Sequence, residues 1–139
     1  MTGQPDCPFC HLEEDCVLFR SETVVALWDR FPVSQGHVLV IPHRHVTSWL
    51  ETTPEEHAEL LHMVGVVREA IESQHHPAGF NIGINVGQAA GQTVSHLHVH
   101  VIPRYEGDVA NPQGGIRNVV PDRSGYLETI STSSVGGEL

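Results

Sequence analysis

Seven residues, His96-Leu97-His98-Val99-His100-Val101-Ile102, alternate imidazole with aliphatic side chains and constrain the fold more than any other stretch of the chain. Extended backbone sends successive side chains to opposite faces, so Leu97, Val99 and Val101 meet a core while three titratable rings share the other face. Imidazoles ranked along one side repel once protonated and bring little packing in return, so the stretch reads as a strand with one structural and one chemical face. All three rings cannot chelate one ion. Cα atoms four residues apart on a strand lie ~13 Å from each other, whereas ligand nitrogens sit ~2.1 Å from a metal. His96 and His100 must therefore serve different ends.

The neighbouring segments supply a sheet and a helix for such a strand. Val24–Trp28 is a short apolar, partly β-branched run ended by Asp29-Arg30-Phe31-Pro32, and residues 37–41 form a second run opened by Gly36 and closed by Pro42. Thr53-Pro54-Glu55-Glu56 combines a capping Thr, a Pro at the first helical position and a Glu three residues past the cap. Leu60, Val64, Val67 and Ile71 follow at helical spacing, which predicts a helix to about Gln74 with that stripe on the core. Residues 80–86 alternate with period two and read as a half-buried strand, one face core and the other kept open by Asn81, Gly83 and Asn85. Residues 87–92 are a glycine-rich connection, and from Tyr105 the chain turns to Gly, Pro and Asn-rich loop. The expected organisation is one domain over residues 1–128, with a flexible tail over 129–139.

Charge limits the partners. The formal net charge is −10, the seven cations are all arginine, and this balance disfavours a broad nucleic-acid or membrane footprint. No stretch approaches the ~18 apolar residues of a membrane span, and Met1-Thr2-Gly3-Gln4-Pro5-Asp6 has neither a basic start nor an apolar run, so a cytoplasmic protein is expected. The three cysteines lie within the first sixteen residues and would leave an odd thiol, which argues against a disulfide framework. Cys7-Pro8-Phe9-Cys10 is a Cys-x2-Cys knuckle, suited to a metal or to a redox dithiol, and a metal would need two further ligands.

The pattern His-φ-His-φ-His-φ-φ, with φ apolar, resembles the signature of the histidine triad family. Gly36-His37-Val38-Leu39-Val40-Ile41-Pro42 looks like that family's second active-site segment, and Ala90-Gly91-Gln92-Thr93-Val94 resembles the loop entering the triad in its fragile histidine triad branch. The resemblance covers residues 7–105. It implies an α+β fold with a central antiparallel sheet, one long helix packed across it, and pairing as a homodimer. It also implies a hydrolase acting at the α-phosphate of dinucleoside polyphosphates or related adenosine nucleotides, through a nucleotidyl-histidine intermediate on His98. A nucleoside phosphoramidate hydrolase would use the same nucleophile, and a nucleotide sensor with little turnover is the reading from another class. A transferase is disfavoured, because related transferases carry Gln where this chain has His100.

By the same carry-over His100 lies against the phosphate, His37 completes the pocket, Gln92 and Thr93 contact phosphate oxygens, and Asn85 stands near the leaving group. Asp29 fits the ribose contact, where the fragile histidine triad branch usually has Asn. Some members of the family hold a zinc ion through a knuckle like Cys7 and Cys10, with histidines matching His45 and His96. That zinc would be structural. His11, Cys16 and His43 are competing ligands in the sequence. No phosphate-cradling glycine motif is present and no organic cofactor is expected. Arg104 and the Gly114-Gly115-Ile116-Arg117 loop are further candidates for approach to a phosphate chain.

Overall fold

A computed structural model of the chain describes residues 3–123, so the expected tail and the boundary at 128 lie outside the described residues. The chain divides into two compact units, Met1–Tyr105 and Glu106–Leu139. In the second, Gly115–Val119 forms a short 3-10 turn entered through Gly114 in the left-handed region.

The first unit is a five-stranded antiparallel sheet with one helix across it. Its strands are β1 (Val17–Arg20), β2 (Val24–Trp28), β3 (Val38–Pro42), β4 (Gly79–Ile84) and β5 (Val99–Arg104), in spatial order β1-β2-β3-β5-β4. Helix α1 (Pro54–His75) begins with the expected capping box: the Thr53 side chain accepts from Glu56 N, and the Glu56 side chain accepts from Thr53 N. It ends where His76 adopts a left-handed conformation ahead of Pro77, which cannot continue a helix. Leu60, Met63, Val64, Val67 and Ile71 are buried against Val24, Ala26, Val38, Val40, Val99 and Val101. A smaller apolar cluster on Val25, Leu27, Leu39 and Ile41 is covered by Phe9, Leu12, Cys16 and Val17. Alternation along β2 and β3 thus sends one set of side chains to the helix and the other to the amino-terminal segment.

Three expectations are corrected. The triad strand is shorter at its start than residues 96–102: the ladder between β3 and β5 ends at Val40↔Val99. Beyond it, β3 closes on Pro42, and the only regular-looking contact is Leu97 N donating to Val46 O at 2.7 Å. His96, Leu97 and His98 are all buried, and the faces still alternate: Leu97, Val99 and Val101 meet the core while His98 and His100 line the cavity opposite. Residues 80–86 meet the core only at Phe80, because β4 is an edge strand whose Ile82 and Ile84, on the same face, are 45% and 37% exposed. Strand β1 was not anticipated; it pairs with β2 through a register shift between Val17 and Phe19.

Gly36 connects this scaffold to the chemistry. It sits at φ +91, and a Cβ there would come within 3.1 Å of Ile71 and 3.2 Å of His75. Only glycine suits both the turn and the close approach, and the next residue is His37.

Candidate active site and metal centre

His98 and His100 lie on the sheet face away from α1, where His100 is in register with Leu39. They line a cavity of about 720 Å³ together with Phe9, Leu12, Leu27, Asp29, Asn85 and Thr93. The nucleophile candidate His98 is buried, and its Nδ1–H donates to the His96 carbonyl at 2.9 Å. A neutral imidazole carries one proton, so this bond leaves a lone pair on Nε2.

A second chain of bonds sets the tautomer of His100. Val33 N–H donates to His37 Nδ1 at 3.1 Å, which places the His37 proton on Nε2. That Nε2–H faces His100 Nδ1 at 3.0 Å and Asp29 Oδ2 at 3.3 Å. His100 Nδ1 accepts, so its proton is on Nε2. Burial, reinforced by the neighbouring His98 and His37 rings, pushes His100 down to about 4, and burial also lowers His37 against the pull of Asp29. Both rings are therefore neutral near pH 7. The pair offers a lone pair on His98 and a hydrogen-bond donor on His100, with ring centroids 5.1 Å apart.

Asp29 was expected at a ribose. Its Oδ1 accepts from Phe31 N at 2.8 Å and its Oδ2 faces His37, so it also orients the second histidine pair, a role the sequence did not reveal. Asn85, just past β4, and Thr93 line the cavity. The Gln92 amide donates to Thr47 O and Val94 O and its Oε1 accepts from Gly87 N, so the side chain ties the loop before the triad to the segment after β3. Arg104 donates to Asn81 Oδ1 at 2.7 Å and is not among the cavity residues.

The first triad histidine faces elsewhere. Cys7 Sγ and Cys10 Sγ lie 3.4 and 3.6 Å from His96 Nδ1, Cys10 Sγ lies 3.3 Å from His45 Nδ1, and the two Nδ1 atoms are 3.2 Å apart. All four ligand atoms fall within 4.8 Å of one another, and the competing His11, Cys16 and His43 are not in the cluster. A tetrahedral ion ~2.3 Å from thiolates and ~2.1 Å from imidazoles would separate sulfur from nitrogen by ~3.6 Å and nitrogen from nitrogen by ~3.4 Å. The residues present fit that demand. His96 Nε2–H donates to Pro42 O at 2.9 Å, which leaves Nδ1 as the lone-pair atom facing the thiols. Burial pushes the Cys7 thiol up and the His96 imidazole down, so a cation is what would draw the thiolate form from Cys7.

The HIT domain matches residues 12–107. Over 113 residues the chain is 36% identical to the AP-4-A phosphorylase of Mycobacterium tuberculosis, covering 77% of this chain and 58% of that protein. It is 42% identical over 92 residues to the bis(5'-nucleosyl)-tetraphosphatase [asymmetrical] of Schizosaccharomyces pombe, covering 66% of this chain and 50% of that one. A Zn-bound histidine triad family protein from Mycobacterium smegmatis superposes with a TM-score of 0.64 at 36% identity, covering 69% of this chain and 70% of that chain. The chain belongs to the HIT domain family. It spans little more than half the length of the two curated relatives, 58% and 50%.

Proposed function

We propose that this protein is a nucleotide hydrolase that cleaves at the α-phosphate of dinucleoside polyphosphates or related adenosine nucleotides. The observation that carries the reading is the pair of fixed tautomers at one cavity, a lone pair on His98 Nε2 beside a donor on His100 Nε2. His98 Nε2 attacks the α-phosphorus while the bond to the leaving phosphate breaks, and His100 donates a hydrogen bond to the phosphoryl oxygens where charge collects. Water then cleaves the phosphorus–nitrogen bond and releases a nucleoside monophosphate. His37 and Asp29 hold the His100 tautomer, with Asp29 also close enough to the cavity to accept from ribose hydroxyls. Thr93 and Asn85 bind the phosphate chain. The names of the two curated relatives support a dinucleoside tetraphosphate as the first substrate to try.

One observation favours phosphoramidates as a second reading. The charged residues around the cavity are Glu13, Asp15 and Asp29 against Arg30, a lining better suited to one phosphate than to four. The bound ion in our reading is a structural zinc held by Cys7, Cys10, His45 and His96; it supplies no open position and takes no part in the reaction. Exposed Ile82, Ile84 and Val86 along the β4 edge support a homodimer. Among the described residues no helix is long and apolar enough to cross a membrane. We place the protein in the cytoplasm, where thiols stay reduced and free to bind metal.

Intact mass measured within seconds of mixing with diadenosine tetraphosphate tests the mechanism. A nucleotidyl adduct on the native chain that is absent from His98→Ala is expected. Failure to release monophosphate from either diadenosine tetraphosphate or an adenosine phosphoramidate would sink the hydrolase and favour a sensor.

A further inference from the structure

Phe9 stands between the two cysteines of the knuckle and at the wall of the cavity. Its ring meets His96 edge-on, with centroids 5.8 Å apart at 88°, and meets His98 at 5.2 Å and 64°. The segment that carries Phe9 seats that ring on the apolar cluster of Val25, Leu27, Leu39 and Ile41, but its polar ties to the rest of the fold are few. Cys7 N to Gln4 O, Cys10 N to Cys7 O and the His11 ring to Gln4 O are bonds internal to residues 4–11. Among the described residues, the hydrogen bonds that leave this segment for the sheet run through the two thiols, to His45 and His96. Thiols are weak donors, so a coordinated ion would be the strong polar fastening there, added to the apolar seat of Phe9.

His98 depends on the same residues. Its Nδ1–H rests on the carbonyl of His96, whose ring is itself in the cluster, and one of its faces is closed by Phe9. We propose that the metal centre fixes the tautomer and orientation of His98, and that Phe9 is the positioning residue through which it does so. The centre is then a control on the nucleophile as well as a staple of the fold. The role of His98 as nucleophile rests on the function proposed above; the coupling of the knuckle to its ring does not.

Ring nitrogen spectra of uniformly 15N-histidine-labelled protein, recorded without nucleotide, test this directly. Zinc-loaded native protein should show His98 in one form, with a proton fixed on Nδ1 where the His96 carbonyl accepts it. Removal of zinc with a chelator, or Phe9→Ala with one zinc still bound per chain, should give averaged His98 signals. Turnover of diadenosine tetraphosphate by zinc-loaded Phe9→Ala should fall about tenfold in kcat with KM nearly unchanged, the mark of a misplaced nucleophile. Phe9→Tyr, which keeps the ring edge, should restore both readouts. If Phe9→Ala does not fold, Phe9→Leu carries the test, since it retains apolar bulk without an aromatic edge. A zinc-loaded Phe9→Ala or Phe9→Leu protein with the native His98 spectrum overturns the proposal, as does a native spectrum unmoved by chelation. A protein whose His98 tautomer follows zinc and Phe9 but which cleaves no nucleotide refutes the hydrolase and supports the coupling.

Discussion

Among the described residues two clusters bring nitrogen, sulfur or oxygen ligands within 4.8 Å of one another: Cys7, Cys10, His45 and His96 in one, Asp29, His37 and His100 in the other. By compactness alone either could hold a metal. What separates them is the atom behind each imidazole. His96 has a carbonyl behind it, Pro42 O, so its proton points outward and its lone pair inward. His37 has an amide N–H behind it, from Val33, so its lone pair points outward and its proton inward, toward Asp29 and His100. To take an ion at Nε2, His37 would have to carry its proton on Nδ1, against the Val33 donor. The first cluster is arranged around a cation and the second around a proton.

The sharpest way to break this contrast is to remove the nucleophile of the cavity, which is a ligand in neither cluster. His98→Gly should lower kcat by at least about 10⁴-fold while leaving zinc content at that of the native protein. Retained turnover would mean that the cavity works by another nucleophile. The next largest effect belongs to the first cluster. Cys10→Ser, or chelation, should destabilise the fold by about 3 kcal/mol and lower Tm by roughly 10 °C in a thermal melt. An unchanged melting curve would remove the metal from the account. Third, His37→Asn should bind zinc as the native protein does but lose about 10²-fold in kcat, because His100 Nδ1 then lacks the donor that fixes its tautomer. A second zinc that binds native protein, competes with nucleotide and fails to bind His37→Asn would reassign that cluster from proton to metal.

The contrast was only half legible in the sequence. Residue types that carry chemistry announce themselves, and the helix does too, since Thr53, Pro54 and Glu56 are local signals that the structure realises atom for atom. The four members of the metal cluster come together as the resemblance implied. What could not be read is whatever depends on order in the sheet or on a backbone partner far along the chain. The alternation at Ile82 and Ile84 is the same whether a strand is central or at an edge, and the placement of β4 outside β5 decides it. Regular pairing of residues 96–98 was lost because Pro42 ends β3 at that level, 54 residues away in sequence from His96. That Asp29 also faces His37 was not legible, because a carboxylate after a strand says nothing of which histidine the next turn returns to it. The Gln92 amide is held by Val94 O nearby and by Thr47 O, 45 residues away in sequence, a pairing that no motif reveals.

The smallest of the expected effects also bears on the proton side of the contrast, through the dependence of stability on pH. His100 is held at about 4 in the fold against an ordinary 6.5, chiefly by burial and then by the facing His98 and His37 rings, with Asp29 opposing. As pH falls, the unfolded chain takes up the proton first. The native state therefore has its full stability from this group above about 6.5, loses it progressively between about 6.5 and about 4, and loses no more below that. The full shift corresponds to about 3 kcal/mol, and partial exposure of the ring brings the expected loss to about 2 kcal/mol. Acid also releases metal from the other cluster, so the comparison must be made between native protein and His100→Asn at matched zinc content. Urea unfolding at pH 7, 5.5 and 4 should show the native protein losing about 2 kcal/mol more than the variant across that range. Parallel losses would mean that His100 takes its proton as easily in the fold as outside it. The His37 to His100 bond would then not be holding a neutral ring, and the tautomer argument for the cavity would fall with it.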